Sequence, residues 1–405
     1  MRSTRVARAL VGAAVLAVVV AGCGTESDDG GGGGAGASED AGFTPPDLPM
    51  AEEVGDMEGE LSVLAWPGYA EDGSTDKAVD WVTPFEESTG CEVSVKYFGT
   101  SDEAVTLMKS GQYDVVSASG DASLRLIAGG DVEPVNTDLV PNYADVWSFL
   151  KDRDWNAVDG QMYGIPHGYG ANLLMYNTDD VSPAPTSWSA VFDDASAQTG
   201  KVTAYDSPIY IADAALYLMT HQPELGIKNP YALDDDQLAA AVELLKEQNV
   251  HVSEYWSDYL KEIQAFTTGD STIGTTWQVI ANLAQAEKVP VEAILPEEGA
   301  TGWSDTWMVG SSTENRNCSY AWLDHIISPQ ANADVAEWFG EAPANAKACD
   351  VATEGHCETF HAGEEDYAEQ IWYWTTPIEQ CLDGRTDVKC TTYTQWTQAW
   401  TEVKG

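Results

Sequence analysis

The chain has 405 residues, with 66 acidic against 19 basic side chains and a formal net charge of −47 at pH 7. This charge excludes nucleic acid and anionic membrane surfaces as partners, because both repel an acidic protein. The length suits two lobes around one or two cores. The charge does not identify a ligand, and we interpret most of it as a solubility feature of the surface.

The N-terminus is typical of an exported protein. Three arginines precede the apolar run "VGAAVLAVVVAG", which ends at Cys23. The run is too short for a membrane-spanning helix, and "VAGC" resembles a bacterial lipoprotein processing site. We predict a signal peptide at 1–22 and lipidation of Cys23, which would anchor the mature protein outside the cell membrane. The alternative is an ordinary signal peptide, with Cys23 incidental.

Residues 23–59 are rich in glycine, serine and acidic side chains. The stretch "GTESDDGGGGGAGASEDAGFTPP" has almost no large apolar side chain to offset the entropy of ordering, so we predict a flexible tether over 23–59. From residue 60 onward the composition becomes that of a globular protein.

The globular part alternates patterns typical of strands and of helices, which predicts an α/β fold. "GELSVLAWPGY", "CEVSVKYFG", "YDVVSAS" and "STIGTTW" predict strands. Helices are predicted in "SDEAVTLMKSGQ", "QLAAAVELLKEQ", "SDYLKEIQAFTTGD" and "NCSYAWLDHIISPQANADVAEWFG". A further helix is predicted from Ser74 to Thr89, with a kink at Pro84.

Several predicted strands end at aromatic or polar residues. Ligands of open α/β sheets lie beyond the carboxyl ends of the strands, so this placement favours a binding cleft. A single tryptophan at a strand end is more often a core residue, but the placement recurs four times. The residues are Trp66, Tyr69, Ser119, Asp121, Tyr169 and Trp277.

The segment "GWSDTW", residues 302–307, allows two interpretations. Alternating aromatic and polar residues are typical of a half-buried strand. The other interpretation is a box for a cation, because aromatic faces and a carboxylate both attract positive charge once water is excluded. Trp303 would then be a wall and Asp305 a counter-ion, with Trp307 packed inward.

Without Cys23, six cysteines remain, and an even number in an exported protein predicts three disulfides. Cys349 and Cys357 enclose one short loop with turn residues, and Cys381 and Cys390 enclose another, which favours pairing within each loop. Cys91 and Cys318 then remain to pair with each other. We predict Cys91–Cys318, Cys349–Cys357 and Cys381–Cys390. A zinc site is the alternative, but no paired C-x-x-C is present, so we expect neither a metal nor a cofactor.

Motifs of common hydrolases and phosphate-binding enzymes are missing from the sequence: G-x-S-x-G, G-x-x-x-x-G-K-[ST] and H-E-x-x-H do not occur. We therefore predict that the protein is not an enzyme. A secreted glycoside hydrolase with a pair of acids stays open as an alternative in so acidic a chain.

Seven segments in order resemble the extracytoplasmic solute-binding proteins of ABC importers, in particular the spermidine/putrescine-binding branch. They are "LAWPGY", "PFEESTGCEVSV", "GQYDVVSAS", "YGIPHGYGANLLMYN", "TSWSAVFD", "IGTTW" and "GWSDTW". The resemblance implies a two-lobed α/β periplasmic-binding-protein fold, with crossing hinge strands and the ligand in the cleft between the lobes. The expected division is 60–172 in lobe 1, 173–302 in lobe 2, 303–345 back in lobe 1, and a disulfide-rich segment at 346–405 on lobe 2.

The resemblance also implies roles for particular residues. Positions that stack on the ligand or hold an ammonium in the polyamine-binding branch are here Trp66, Tyr69, Ser119, Trp277, Trp303 and Asp305. Departures from the branch put the ligand's length and charge spacing in doubt. Gly68 replaces a glutamate, and the predicted ligand-binding set also includes Tyr169, Asp121, Asp206, Tyr210 and Glu341, with Trp374 as a further candidate.

The expected function is that of a monomeric substrate-binding lipoprotein of an ABC import system. It would capture a polyamine or related cationic solute, with permease subunits as partners. The same fold could instead bind a sugar or an amino-acid derivative, since aromatic side chains stack on sugars as well as on amines.

Overall fold

The computed structural model describes residues 43–198 and 200–405. The predicted signal peptide, Cys23 and the first part of the predicted tether lie outside these residues. Among the helices that are described, none combines the length and the apolar character needed to cross a membrane.

Strands and helices alternate along most of the chain. The strands are β1 (Glu60–Ala65), β2 (Glu92–Tyr97), β3 (Val115–Ala118), β4 (Ala157–Val158), β5 (Gln161–Met162), β6 (Gly164–Ala171), β7 (Leu173–Asn177), β8 (Val202–Tyr205), β9 (Val252–Trp256), β10 (Ile273–Thr276), β11 (Val291–Ile294), β12 (Ala300–Val309), β13 (Ala342–Pro343) and β14 (Ile371–Tyr373). The helices are α1 (Val82–Thr89), α2 (Ser101–Met108), α3 (Gly120–Gly129), α4 (Ile211–His221), α5 (Asp235–Asn249), α6 (Tyr259–Thr268), α7 (Gln278–Ala286), α8 (Arg316–Ile326), α9 (Pro329–Phe339), α10 (His356–Thr359), α11 (Glu365–Ala368) and α12 (Tyr393–Lys404).

Two separate sheets form two lobes, which confirms the predicted α/β class. The first sheet has the order β13-β6-β12-β3-β1-β2, and β14 pairs with β12. In it, β1 runs parallel to β2 and β3, while β12 is antiparallel to β3 and β6. The second sheet has the order β11-β7-β10-β8-β9.

Two adjacent segments of the chain connect the two sheets. β6 of the first sheet leads through Asn172 into β7 of the second, and β11 leads back into β12. The backbone N–H of Asn172 donates to the Thr301 carbonyl at 2.8 Å, which holds the two crossings together. Hinge motions of two-lobed proteins are absorbed by a few such residues.

The predicted helix at Ser74 begins eight residues later than expected. The structure starts α1 at Val82, and the Asp80 carboxylate accepts from the Thr83 N–H at 2.9 Å. Pro84 therefore lies in the first turn, where its missing N–H costs nothing because the first four N–H groups of a helix have no intrahelical partner. The expected kink does not arise.

The three predicted disulfides form in the structure: Cys91–Cys318, Cys349–Cys357 and Cys381–Cys390. We expected the segment 346–405 to pack on the second lobe, but it contacts both lobes. β14 adds a parallel strand to β12 of the first sheet, and α12 packs against α5 of the second lobe.

Candidate functional site

Strand β12 carries the "GWSDTW" segment through the centre of the first sheet. The predicted strand is confirmed, but all ten of its residues are buried, so it is not half-buried. Trp303, Asp305 and Trp307 alternate with smaller residues and therefore share one face. The Trp303 ring lies 5.9 Å from that of Trp277 in the second lobe, whereas Trp307 packs within the first lobe against Trp322.

Two glycines of β6 make room for this face of β12. A Cβ atom at Gly170 would lie 2.7 Å from Cζ2 of Trp303, and one at Gly168 would lie 2.0 Å from Oε1 of Glu341. Any larger residue would displace the indole ring or the carboxylate. The glycines of "IPHGYGAN" are therefore required by close approach of the site's side chains.

Asp305 and Glu341 form a buried acid pair around one hydroxyl. The Tyr69 hydroxyl lies 2.8 Å from Oδ2 of Asp305 and 3.0 Å from Oε2 of Glu341. A phenol has one proton to donate, so both contacts are hydrogen bonds only when one carboxyl carries a proton. The two acids are 4% and 1% exposed, respectively, which leaves almost no water to stabilise two negative charges.

Burial dominates the proton affinity of this pair. It raises the pKa of Asp305 to about 6, against the lowering effect of hydrogen bonds from Ser119 and Tyr69, and the Asp121 charge raises the pKa further. Burial and the Asp305 charge raise the pKa of Glu341 well above its usual range. A neighbouring cation would favour the charged form of both carboxyls.

His167 does not neutralise the pair. Burial lowers the pKa of His167 to about 3, so the imidazole is neutral, and its Nδ1 lies 3.6 Å from Oε1 of Glu341, beyond hydrogen-bond range. That Glu341 oxygen is buried and has no hydrogen-bond partner among the described residues. The hydrogen-bonding capacity of this oxygen is therefore unused among the described residues.

Aromatic rings form a continuous series from the second lobe into the first. The rings in order are Trp374, Tyr205, Trp277, Trp303, Phe339 and Tyr69, with centroid separations of 5.5, 5.7, 5.9, 5.9 and 4.5 Å. Flat apolar faces of this kind contact methylene chains and attract cations.

A hydrogen-bond chain links this aromatic series to the hinge. Trp277 Nε1 donates to Oδ1 of Asn172 at 2.8 Å, and Nδ2 of Asn172 donates to the Thr301 hydroxyl at 2.7 Å. The Thr301 hydroxyl donates in turn to Asp213 at 3.0 Å. A change in the position of Trp277 would therefore alter hydrogen bonds at Asn172 and Thr301, one in each of the two chain crossings.

A small cavity borders Glu341 of the acid pair. Its volume is about 20 Å³, which is room for about one water molecule and not for a solute. Both lobes and residues from the stretch 359–373 line it. Its walls include Tyr169, Trp277, Trp303, Glu341, Phe360 and Tyr373. The Tyr169 hydroxyl accepts from the backbone N–H of Gly363 at 2.8 Å, so its polar end is already satisfied.

The predicted ligand-binding residues do not all meet at one place. Tyr69, Ser119 and Trp303 lie around the Asp305–Glu341 pair, and Trp277 contacts Trp303. Tyr169 lies in the wall of the adjoining cavity. Trp66 packs against Phe98 in the first lobe. Tyr210 lies in the core of the second lobe, where it bonds Gln248, so the structure does not bring it to the acid pair.

Two predicted acids are bound by the C-terminal segment. Asp121 accepts from the Tyr393 hydroxyl at 3.3 Å, and Asp206 pairs with Lys404 at 2.6 Å. Neither carboxylate is therefore left unpaired as we expected for a second ammonium.

Sequence reasoning missed Tyr205, Phe339 and Asn172. Tyr205 ends β8, so the strand-end rule that found Trp277 could have found it. Phe339 is the last residue of α9, and no local pattern distinguishes it from a core residue.

Two sheets joined by two adjacent chain crossings define a two-lobed α/β fold. The family model for bacterial extracellular solute-binding proteins matches residues 80–356, and the chain belongs to this family. This confirms the resemblance found in the sequence. The members similar to this chain are substrate-binding proteins of transport systems.

Individual relatives agree with this assignment. The putrescine/cadaverine-binding protein of Pseudomonas aeruginosa is 24% identical over 312 residues, which cover 71% of this chain and 80% of the relative. A spermidine/putrescine ABC transporter structure from Listeria monocytogenes has a TM-score of 0.69 at 18% identity, covering 85% and 99% of the two chains. MotA of A. tumefaciens B6, in complex with glucopine, has a TM-score of 0.64 at 19% identity, covering 85% and 100%.

Proposed function

We propose that this protein is the substrate-binding lipoprotein of an ABC import system and captures a polyamine or related cationic solute by lobe closure. It delivers the solute to permease subunits as a monomer, outside the cell membrane. The observation that carries the proposal is the buried Asp305–Glu341 pair, bridged by one hydroxyl at the end of the aromatic series.

The physical reason is the cost of burying charge. Two carboxyls at under 5% exposure are destabilising unless a partner offsets their lost hydration. An ammonium group satisfies both, and the rings of Trp277 and Trp303 cover its hydrocarbon part. A neutral ligand would not offset the cost of desolvating two neighbouring carboxylates.

A second candidate is a sugar or amino-acid derivative, since tryptophan walls also stack on sugars. The glucopine complex of a structural neighbour favours keeping this candidate. The acid pair is what distinguishes the two, because hydroxyl groups need acceptors but not charge. A hydrolase is the weaker alternative, and turnover of a sugar panel would reveal it.

A thermal-shift screen of the intact protein against amines, amino acids and neutral sugars tests the proposal. Amines are expected to raise the melting temperature, because a ligand at 100 times its Kd stabilises the folded state by about 2.7 kcal/mol. The control is Asp305→Asn, which should lose the response. Stabilisation by a neutral sugar, with none by any amine, would contradict the proposal.

The lipid anchor is a separate proposal that rests on "VAGC" after the apolar run. Cys23→Ser removes the sulfur that would carry the acyl chains, so the protein is expected to appear in the medium instead of the membrane fraction. Immunoblots of the two fractions after a salt wash provide the measurement. If the variant stays on the membrane, Cys23 is not the anchor.

A further inference from the structure

The C-terminal segment, residues 374–404, fills one end of the cleft between the lobes. At this end three carboxylates lie around Tyr205, and burial together with Asp121, Asp305 and Asp206 raises the pKa of its phenol. A cleft with three acids could hold more than one ammonium group. The segment determines which of these acids face a solute.

Asp206 is neutralised by the chain itself. Nζ of Lys404 lies 2.6 and 2.7 Å from its two carboxylate oxygens, and Nε1 of Trp400 donates to it at 3.3 Å. Both partners belong to α12. An ammonium group of the protein thus already occupies this carboxylate.

Asp121 is covered by the same segment. Its oxygens accept from the Ser101 hydroxyl at 2.8 Å and from the Tyr393 hydroxyl at 3.3 Å, and it is 3% exposed. The Arg125 guanidinium lies over the Tyr393 ring at 4.4 Å. Tyr393 also lies close enough to Ser207 of the second lobe to influence the pKa of its phenol, so it lies between the lobes.

The start of the segment is pressed against the first lobe. The Thr376 hydroxyl donates to the Gly120 carbonyl at 2.9 Å, and a Cβ atom at Gly120 would lie only 1.7 Å from the Trp374 carbonyl oxygen. The Trp374 ring stacks on Tyr205 with an interplanar angle of 19°. No room is left for a solute at this contact.

The segment is also fastened to the second lobe. Arg385 bonds Asp234 and the Ala232 carbonyl, both at 2.6 Å, next to the Cys381–Cys390 disulfide. A disulfide-closed loop held by an arginine has little freedom to leave. The segment is therefore a fixed part of the cleft wall.

We propose that residues 374–404 occupy the half of the cleft that would hold a second ammonium, and so select a solute with a single ammonium group. The inference rests on the proposed function and, among the cationic solutes that it allows, favours monoamines over polyamines. Asp305 and Glu341 would receive the one ammonium, while Lys404 and Tyr393 keep Asp206 and Asp121 from a diamine.

Calorimetric titration with butylamine and 1,4-diaminobutane, which have the same carbon chain, tests this inference. The wild-type protein is expected to prefer the monoamine by roughly tenfold or more, because the second ammonium would be desolvated without a carboxylate. Lys404→Met frees Asp206, so the preference should shift towards the diamine by a similar factor. Lys246→Met is the matched control, since Lys246 pairs at 3.5 Å with Glu402, also on α12, and not with Asp206.

Tyr393→Phe provides a second route if Lys404→Met unfolds, because it removes only the hydroxyl from Asp121. A wild-type preference for the diamine, left unchanged by both variants, would overturn the inference and leave the proposed function standing. If neither amine binds the wild-type protein, the proposed function fails as well.

Discussion

Asp305→Asn is expected to weaken amine binding by about a hundredfold or more, because removing one partner of a buried charge pair typically costs about 3–5 kcal/mol. The amide keeps the size of the side chain and can still contact the Tyr69 hydroxyl, so the change removes the charge with little else. Trp303→Phe is the comparison. A ring contributes roughly 0.5–2 kcal/mol to a cation, and phenylalanine keeps part of it, so the loss should stay under about tenfold.

The same prediction has a pH signature. Because burial raises the pKa of Asp305 to about 6, the carboxyl is increasingly protonated below that pH and cannot pair with an ammonium. Amine affinity is therefore expected to rise between about pH 5 and pH 7.5, with protons released on binding. Asp305→Asn should lose this part of the dependence. Equal affinities at both pH values in the wild-type protein would contradict the role given to Asp305.

Replacing both Cys91 and Cys318 by alanine is expected to lower the free energy of unfolding by about 2–5 kcal/mol. This disulfide joins the residue before β2 to helix α8 across 227 positions, and both residues are fully buried. In the chain-entropy account, a cross-link that closes a longer loop restricts the unfolded chain more. Urea unfolding followed by tryptophan fluorescence measures the difference.

The matched control replaces Cys349 and Cys357, which are only eight positions apart. Closing so short a loop restricts the unfolded chain less, so this variant should lose less stability than the first. A larger loss for the short loop would show that the long cross-link is not a main source of stability.

The sequence predicted most of the fold because the α/β alternation is local. Strand β3 follows from a short apolar run and β1 from apolar residues that alternate with polar ones, and α2 was predicted within "SDEAVTLMKSGQ". The late start of α1 could not be predicted in this way. Residues 74–81 carry helix-compatible side chains, but Asp72 and Asp80 pair as an isolated β-bridge instead.

The candidate site was predictable in its residue types and less so in its arrangement. Asp305 followed from "GWSDTW" and Glu341 from a departure from the family pattern. Tyr69, which bridges them, is separated along the chain from Asp305 by 236 residues and from Glu341 by 272. No local sequence pattern encodes a contact over such separations. Asp121 is hydrogen-bonded by Tyr393, and Asp206 is paired with Lys404. These contacts depend on the path of a C-terminal segment that departs from the family pattern.

Calorimetric titration of the intact protein with an amine and with a neutral sugar, at about pH 7.5, tests the central claim most directly. The cation box predicts a saturable heat with the amine and none with the sugar. Only a cation offsets the lost hydration of two buried carboxylates. Heat with the sugar alone would contradict the account, and Asp305 would then be a hydrogen-bond acceptor for hydroxyl groups.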